Sequence, residues 1–95
     1  MDKEFVWDRA KQKANAKKHG VSFNEASSVF DDEDAVYFDD WKHSQSEDRF
    51  IVIGFSRMDR LLMVCHCYRE NEVIRIISAR KADKMETEYY YEGGA

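Results

Sequence analysis

The chain is 95 residues long, 43% hydrophobic and 36% charged, with a net charge of −4. That length leaves room for one hydrophobic core and so for one domain over residues 1–95, and the acidic balance argues against a general nucleic-acid binder. The longest apolar run, Leu61 to Cys65, is far too short to cross a bilayer, and no signal-like segment precedes the charged start Met1-Asp2-Lys3-Glu4; a reduced, cytoplasmic protein with no membrane contact is expected.

Glu4-Phe5-Val6-Trp7 reads as a short strand or extended arm, and Asp8 as the N-cap of a Lys- and Ala-rich helix through about Lys18, ended by Gly20 as a left-handed cap. Ser22-Phe23-Asn24-Glu25 fits the capping box S-x-x-E, and Phe23, Ala26, Val29 and Phe30 then carry the spacing of a short amphipathic helix. After acidic residues Asp31 to Asp34, Ala35 to Phe38 is a predicted strand, followed by a polar loop from Asp39 to about Asp48 in which His43 is expected to be exposed. Arg49 to Ser56, Leu61 to Arg69 and Glu72 to Ala79 read as three strands whose short connections make them antiparallel neighbours. A closing helix from Ala82 to about Tyr91 places Met85, Glu86, Tyr89 and Tyr90 on related turns, and Gly93-Gly94-Ala95 reads as a frayed tail. The expected fold is α+β, with two N-terminal helices and a C-terminal helix packed on a roughly four-stranded antiparallel sheet.

Charge is laid out in blocks, net +3 over residues 1–21, −7 over 22–56, +3 over 57–84 and −3 over 85–95. Such blocks are either solvated surface or a device that leaves one basic face for RNA. The most informative stretch is Ile74-Arg75-Ile76-Ile77-Ser78-Ala79-Arg80-Lys81-Ala82, an apolar strand interrupted by one arginine and ended by an Arg-Lys pair. A guanidinium cannot shed its proton to escape an apolar setting, so Arg75 needs an anion, either an internal carboxylate or a phosphate.

Cys65-His66-Cys67, with His19 or His43 as a fourth ligand, invites a metal reading, but strand alternation turns His66 away from the two cysteines; a closed site would need a bulge, and no metal or cofactor is expected. His66 shares a face with Leu62, Val64 and Tyr68, where a buried, hydrogen-bonded histidine is the plain alternative to a functional one. Lys17, Lys18 and His19 complement the helix dipole and need no further role. Arg49 follows Glu47 and Asp48 and has neighbours to pair with. Trp7 and Trp41 read as a core residue and a loop cover rather than base-stacking platforms.

Read end to end, the chain resembles the BrnT family, RelE-like ribonuclease toxins of type II toxin–antitoxin systems. The residues that carry the resemblance are Phe5, Trp7-Asp8, Lys11 and Asn15; Lys18 to Phe23 with Glu25-Ala26 and Val29-Phe30-Asp31; Arg49, Ile53-Gly54 and Ser56; Leu62 and Val64; and Ile74 to Ala82 with Glu86 and a tyrosine at 89 or 90. Arg9 stands where the family often has proline, which touches only the start of the helix. The resemblance implies an endoribonuclease that cuts RNA without metal and slows translation. It also implies a BrnA-type antitoxin partner, a possible heterotetramer with it, and contact with operator DNA only through that antitoxin.

For such chemistry Arg75 and Arg80 are the expected phosphate ligands, with Arg49 and Arg69 as secondary candidates. His66 is the first choice of acid or base, Glu86 or Tyr89 the replacements, and Lys18, His19 and Tyr89, with Arg49 and Arg69, are the expected RNA contacts. A catalytically inactive binding module that serves as antitoxin partner and co-repressor is the rival reading.

Overall fold

A computed structural model describes residues 3–43 and 47–94; the middle of the predicted polar loop, residues 44–46, and Ala95 of the predicted tail lie outside them. Strand β1 is Phe5–Val6, and helix α1 runs Arg9–His19, started by Asp8, whose carboxylate accepts from the Ala10 and Lys11 amides. Gly20 ends it at φ 70°, a left-handed turn that only glycine enters without strain. Helix α2 is Phe23–Ser27, continued by a 3-10 turn over Ser28–Asp31. Strands β2 (Val36–Asp39), β3 (Phe50–Phe55), β4 (Leu61–Tyr68) and β5 (Ile74–Lys81) follow, and helix α3 (Lys84–Tyr91) closes the fold.

The strands form one sheet in the order β1-β5-β4-β3-β2, antiparallel except that β1 lies parallel to β5 at the edge. The sheet is therefore five-stranded and mixed rather than four-stranded and antiparallel, because two residues of the N-terminal arm pair with Ile74 and Arg75. Helices cover both faces. On one, Val21 and Phe23 with Ala26 and Val29 of the α2 turn bury against Val52, Leu62, Val64, Ile76 and Ala79. On the other, Tyr89 and Tyr90 of α3 pack with Val36, Phe38 and Ile53. Gly54 lies where the 3-10 turn meets the sheet, and a Cβ there would sit 2.9 Å from Val29 Cγ1.

Several local expectations change. Ser22 Oγ caps α2 through the Glu25 amide, but the Glu25 carboxylate does not return to Ser22; it bonds Ser56 and the Arg60 guanidinium instead. The reciprocal capping box is at α3, between Asp83 and Glu86, which starts that helix two residues later than predicted. Strand β5 runs on to Lys81 because Arg80 and Lys81 pair with Met63 and Leu62. Gly93 and Gly94 are not frayed: their amides close the last turn on the Tyr90 and Tyr89 carbonyls.

One irregularity decides what the sheet can do. Between β4 and β5 the register runs Cys67 to Arg75 and His66 to Ile76, then skips to Cys65 with Ser78, leaving Ile77 as an extra residue. Arg75 and Arg80 are five positions apart and would lie on opposite faces of a regular strand. The bulge puts both on the face of Met63, Cys65 and Cys67, the face that α3 only partly covers.

Candidate functional site

On that face a cleft of about 260 Å³ opens between the sheet and α3, with Arg49, Arg80, Glu86, His43, Asp40 and Ser78 at its wall. Arg80 Nη1 and Nη2 donate to the two Glu86 oxygens at 2.9 and 2.8 Å, and Nη1 also donates to the Lys81 carbonyl at 3.1 Å. Glu86 Oε1 in turn accepts from the Asp83 amide, so the α3 capping box fixes the carboxylate that fixes the arginine. The bond to Glu86 raises the Arg80 pKa, and the side chain keeps 35% of its surface open. Among the described residues three of the five guanidinium donors are engaged, which leaves Nε and the second Nη2 proton, a parallel pair that matches two phosphate oxygens.

Opposite Arg80, His43 Nδ1 lies 3.0 and 3.1 Å from the two oxygens of Asp40, while 66% of the imidazole side chain is exposed. A carboxylate on Nδ1 fixes the tautomer and the ring plane of the imidazole. Asp40 is itself buried and tied down: its amide donates to the Arg49 carbonyl at 2.8 Å, and Cys65 Sγ lies 3.6 Å from Oδ2. Burial, reinforced by Asp40, pushes the Cys65 thiol up to about 12, so this cysteine is a packed thiol and neither a nucleophile nor a ready metal ligand. No group of three or more His, Cys, Asp or Glu able to hold a metal occurs among the described residues.

The predicted site residues are only partly brought together. Arg49, Arg80 and Glu86 share the cleft. Tyr89, one turn from Glu86, packs its ring edge-on against Phe38 in an adjoining apolar recess. Arg75 is on the same face beside Cys67 but outside the cleft, about 13 Å along the strands from Arg80 by strand rise. Among the described residues Arg75 makes no salt bridge, whereas Arg80 makes one with Glu86. Arg69 lies in the turn after β4, and with Arg75 it lowers the Cys67 thiol pKa against the larger, raising effects of burial and Glu47. Lys18 and His19 end α1, in the helical layer across the sheet from the cleft.

His66 is the main correction. It is fully buried on the α1–α2 face, ringed by Phe30, Tyr37, Phe50 and Tyr68, with Nδ1 3.3 Å from the Val64 carbonyl and Nε2 3.3 Å from the Tyr68 hydroxyl. Burial drives its pKa down to about 4. The sheet stands between it and Arg80. The histidine that does reach the cleft is His43, exposed as its loop position predicts; the spacing of Asp40 and His43, three apart on one turn, is the signal the sequence carries for it. Trp41 is likewise no cover, being 76% exposed.

The structure is a small α+β domain with an arginine-walled cleft, and comparison with known proteins gives its family. The sequence model of a family described as "Ribonuclease toxin, BrnT, of type II toxin-antitoxin system" matches residues 7–86, and the chain belongs to the BrnT family. Its structure is similar to the 1.1 Å crystal structure of the Brucella abortus ribonuclease toxin BrnT, at a TM-score of 0.66 and 24% identity, over 87% of this chain and 100% of that one. No curated protein matches the sequence.

Proposed function

We propose that this chain is a metal-independent, RelE-like endoribonuclease that inhibits translation in the cytoplasm and is neutralised by a BrnA-type antitoxin in a heterotetramer that alone touches operator DNA. The observation that carries the reading is the meeting of Arg49, Arg80, Glu86 and the Asp40–His43 pair in one cleft. In the reaction the ribose 2′-oxygen attacks its own phosphorus, the bond to the 5′-oxygen breaks, and a 2′,3′-cyclic phosphate and a 5′-hydroxyl result. His43 Nε2 takes the 2′-hydroxyl proton, or returns one to the leaving oxygen, with Glu86 as the second proton carrier. Arg80 and Arg49 hold the charge that gathers on the non-bridging oxygens, which guanidinium forks match in shape and charge. Arg75 holds the strand further along.

One observation favours the rival, a binding module without catalysis: Glu86 already occupies two of the Arg80 donors. The test is expression of the chain alone. Growth arrest, with RNA fragments ending in 2′,3′-cyclic phosphate that form equally well in EDTA, is the expected result. A folded chain that binds antitoxin but leaves RNA whole would establish the rival, and cleavage abolished by EDTA would overturn the metal-free route.

A further inference from the structure

Beside the cleft, Trp41, Phe50, Asp39 and Asp48 enclose a recess of about 160 Å³ with Arg49 as one wall. Arg49 therefore lines both cavities. The indole of Trp41, carried on a 3-10 turn over Trp41–His43, is left 76% exposed two residues from the cleft histidine. A large ring left mostly in water buries little in the free protein, and tryptophan is enriched where protein surfaces meet partners. The two carboxylates would repel a phosphate but accept hydrogen bonds well, so the recess suits a group with a planar face and a donor-bearing edge.

We propose that this recess is a nucleobase subsite, in which the base next to the scissile phosphate stacks on Trp41 and its edge donates to Asp39 or Asp48. The inference rests on the ribonuclease reading above and deepens it, because Arg49 would hold the phosphate that joins that base to the cleft. Guanine presents two adjacent donors, N1–H and N2–H, and fits a carboxylate best; adenine and cytosine each offer an exocyclic amine. Uracil offers the single donor N3–H, flanked by two carbonyl oxygens that a carboxylate repels, and is disfavoured. The subsite makes cleavage selective at one flanking position without touching the chemistry.

The experiment is steady-state cleavage of a mixed-sequence single-stranded RNA by the full chain, with its cut sites mapped, for wild type, Trp41→Ala, Trp41→Phe and Asp48→Asn. Trp41→Ala is expected to raise KM roughly tenfold or more, the size of one lost base stack, with kcat nearly unchanged, and Trp41→Phe to restore most of it. Wild-type cuts should fall beside guanine and avoid uracil, and Asp48→Asn, whose amide also donates, should relax that avoidance. An active Trp41→Ala protein with unchanged KM and an unchanged cut map would overturn the subsite while leaving the ribonuclease reading intact. A wild-type chain that cuts no RNA would overturn both.

Discussion

At the scale of single residues, the two histidines illustrate how burial separates packing from chemistry. His66 shows 0% of its surface and is held neutral by desolvation, with a pKa of about 4 against an ordinary 6.5. In the unfolded chain it binds a proton near its ordinary value, whereas in the folded chain it does not until about pH 4. Its contribution is therefore complete above about pH 6.5 and is lost as the pH falls from there to about 4, by roughly 3 kcal/mol in all. Urea midpoints at pH 7.5 and pH 5 should show wild type losing about 2 kcal/mol more than His66→Leu does; equal losses in the two proteins would remove His66 as the cause. Strand alternation placed His66 on the Leu62–Val64 face correctly. What a single sequence did not reveal is that the arginines lie on the other face, because that depends on the bulge at Ile77 and not on any residue type in β4.

At the scale of elements, the features that build the cleft are backbone devices. The bulge rotates Arg75 into line with Arg80, and the capping box of α3 presents Glu86 to Arg80. The two-helix layer on the opposite face keeps β5 in place through Asn15, whose side chain bonds both the amide and the carbonyl of Ala79 at 3.1 and 2.8 Å and the Val21 carbonyl at 3.0 Å. Ala79 precedes Arg80, so α1 steadies the strand that carries the cleft arginine. Asn15→Ala would leave these buried groups unpaired and is expected to cost about 2–4 kcal/mol by chemical denaturation; a loss under about 0.5 kcal/mol, the scale of an ordinary surface change, would mean the strand is held by other contacts. Both ends of α1, the hairpins and the apolar face of α2 were legible from caps, turns and spacing, while the start of α3 was not. The β1 pairing was not, since a two-residue strand carries no periodicity and is set by its neighbour.

At the scale of the whole molecule, the sheet divides labour between its faces. The α1–α2 side holds the larger core and, on α1, a run of lysines with no acidic residue in the first turn; the α3 side holds the cleft. Among the described residues no helix is long and apolar enough to cross a membrane. The charge blocks read either as solvated surface or as one basic face for RNA, and the lysine-rich helix α1 read as complementing its own dipole. The geometry instead gathers Arg49 and Arg80, from distant parts of the chain, on the side away from it. In this account Lys17 and Lys18 lend only general attraction, whereas Arg80 meets the reacting phosphate. The decisive measurement is the single-turnover RNA cleavage rate of folded Arg80→Ala beside that of the double change Lys17→Ala and Lys18→Ala. The first should fall on the order of a hundred- to thousandfold, the scale of one lost transition-state donor, and the second should stay within a few-fold of wild type. An unchanged rate in Arg80→Ala, or the larger loss in the lysine variant, would contradict the assignment of the cleft as the site of cleavage.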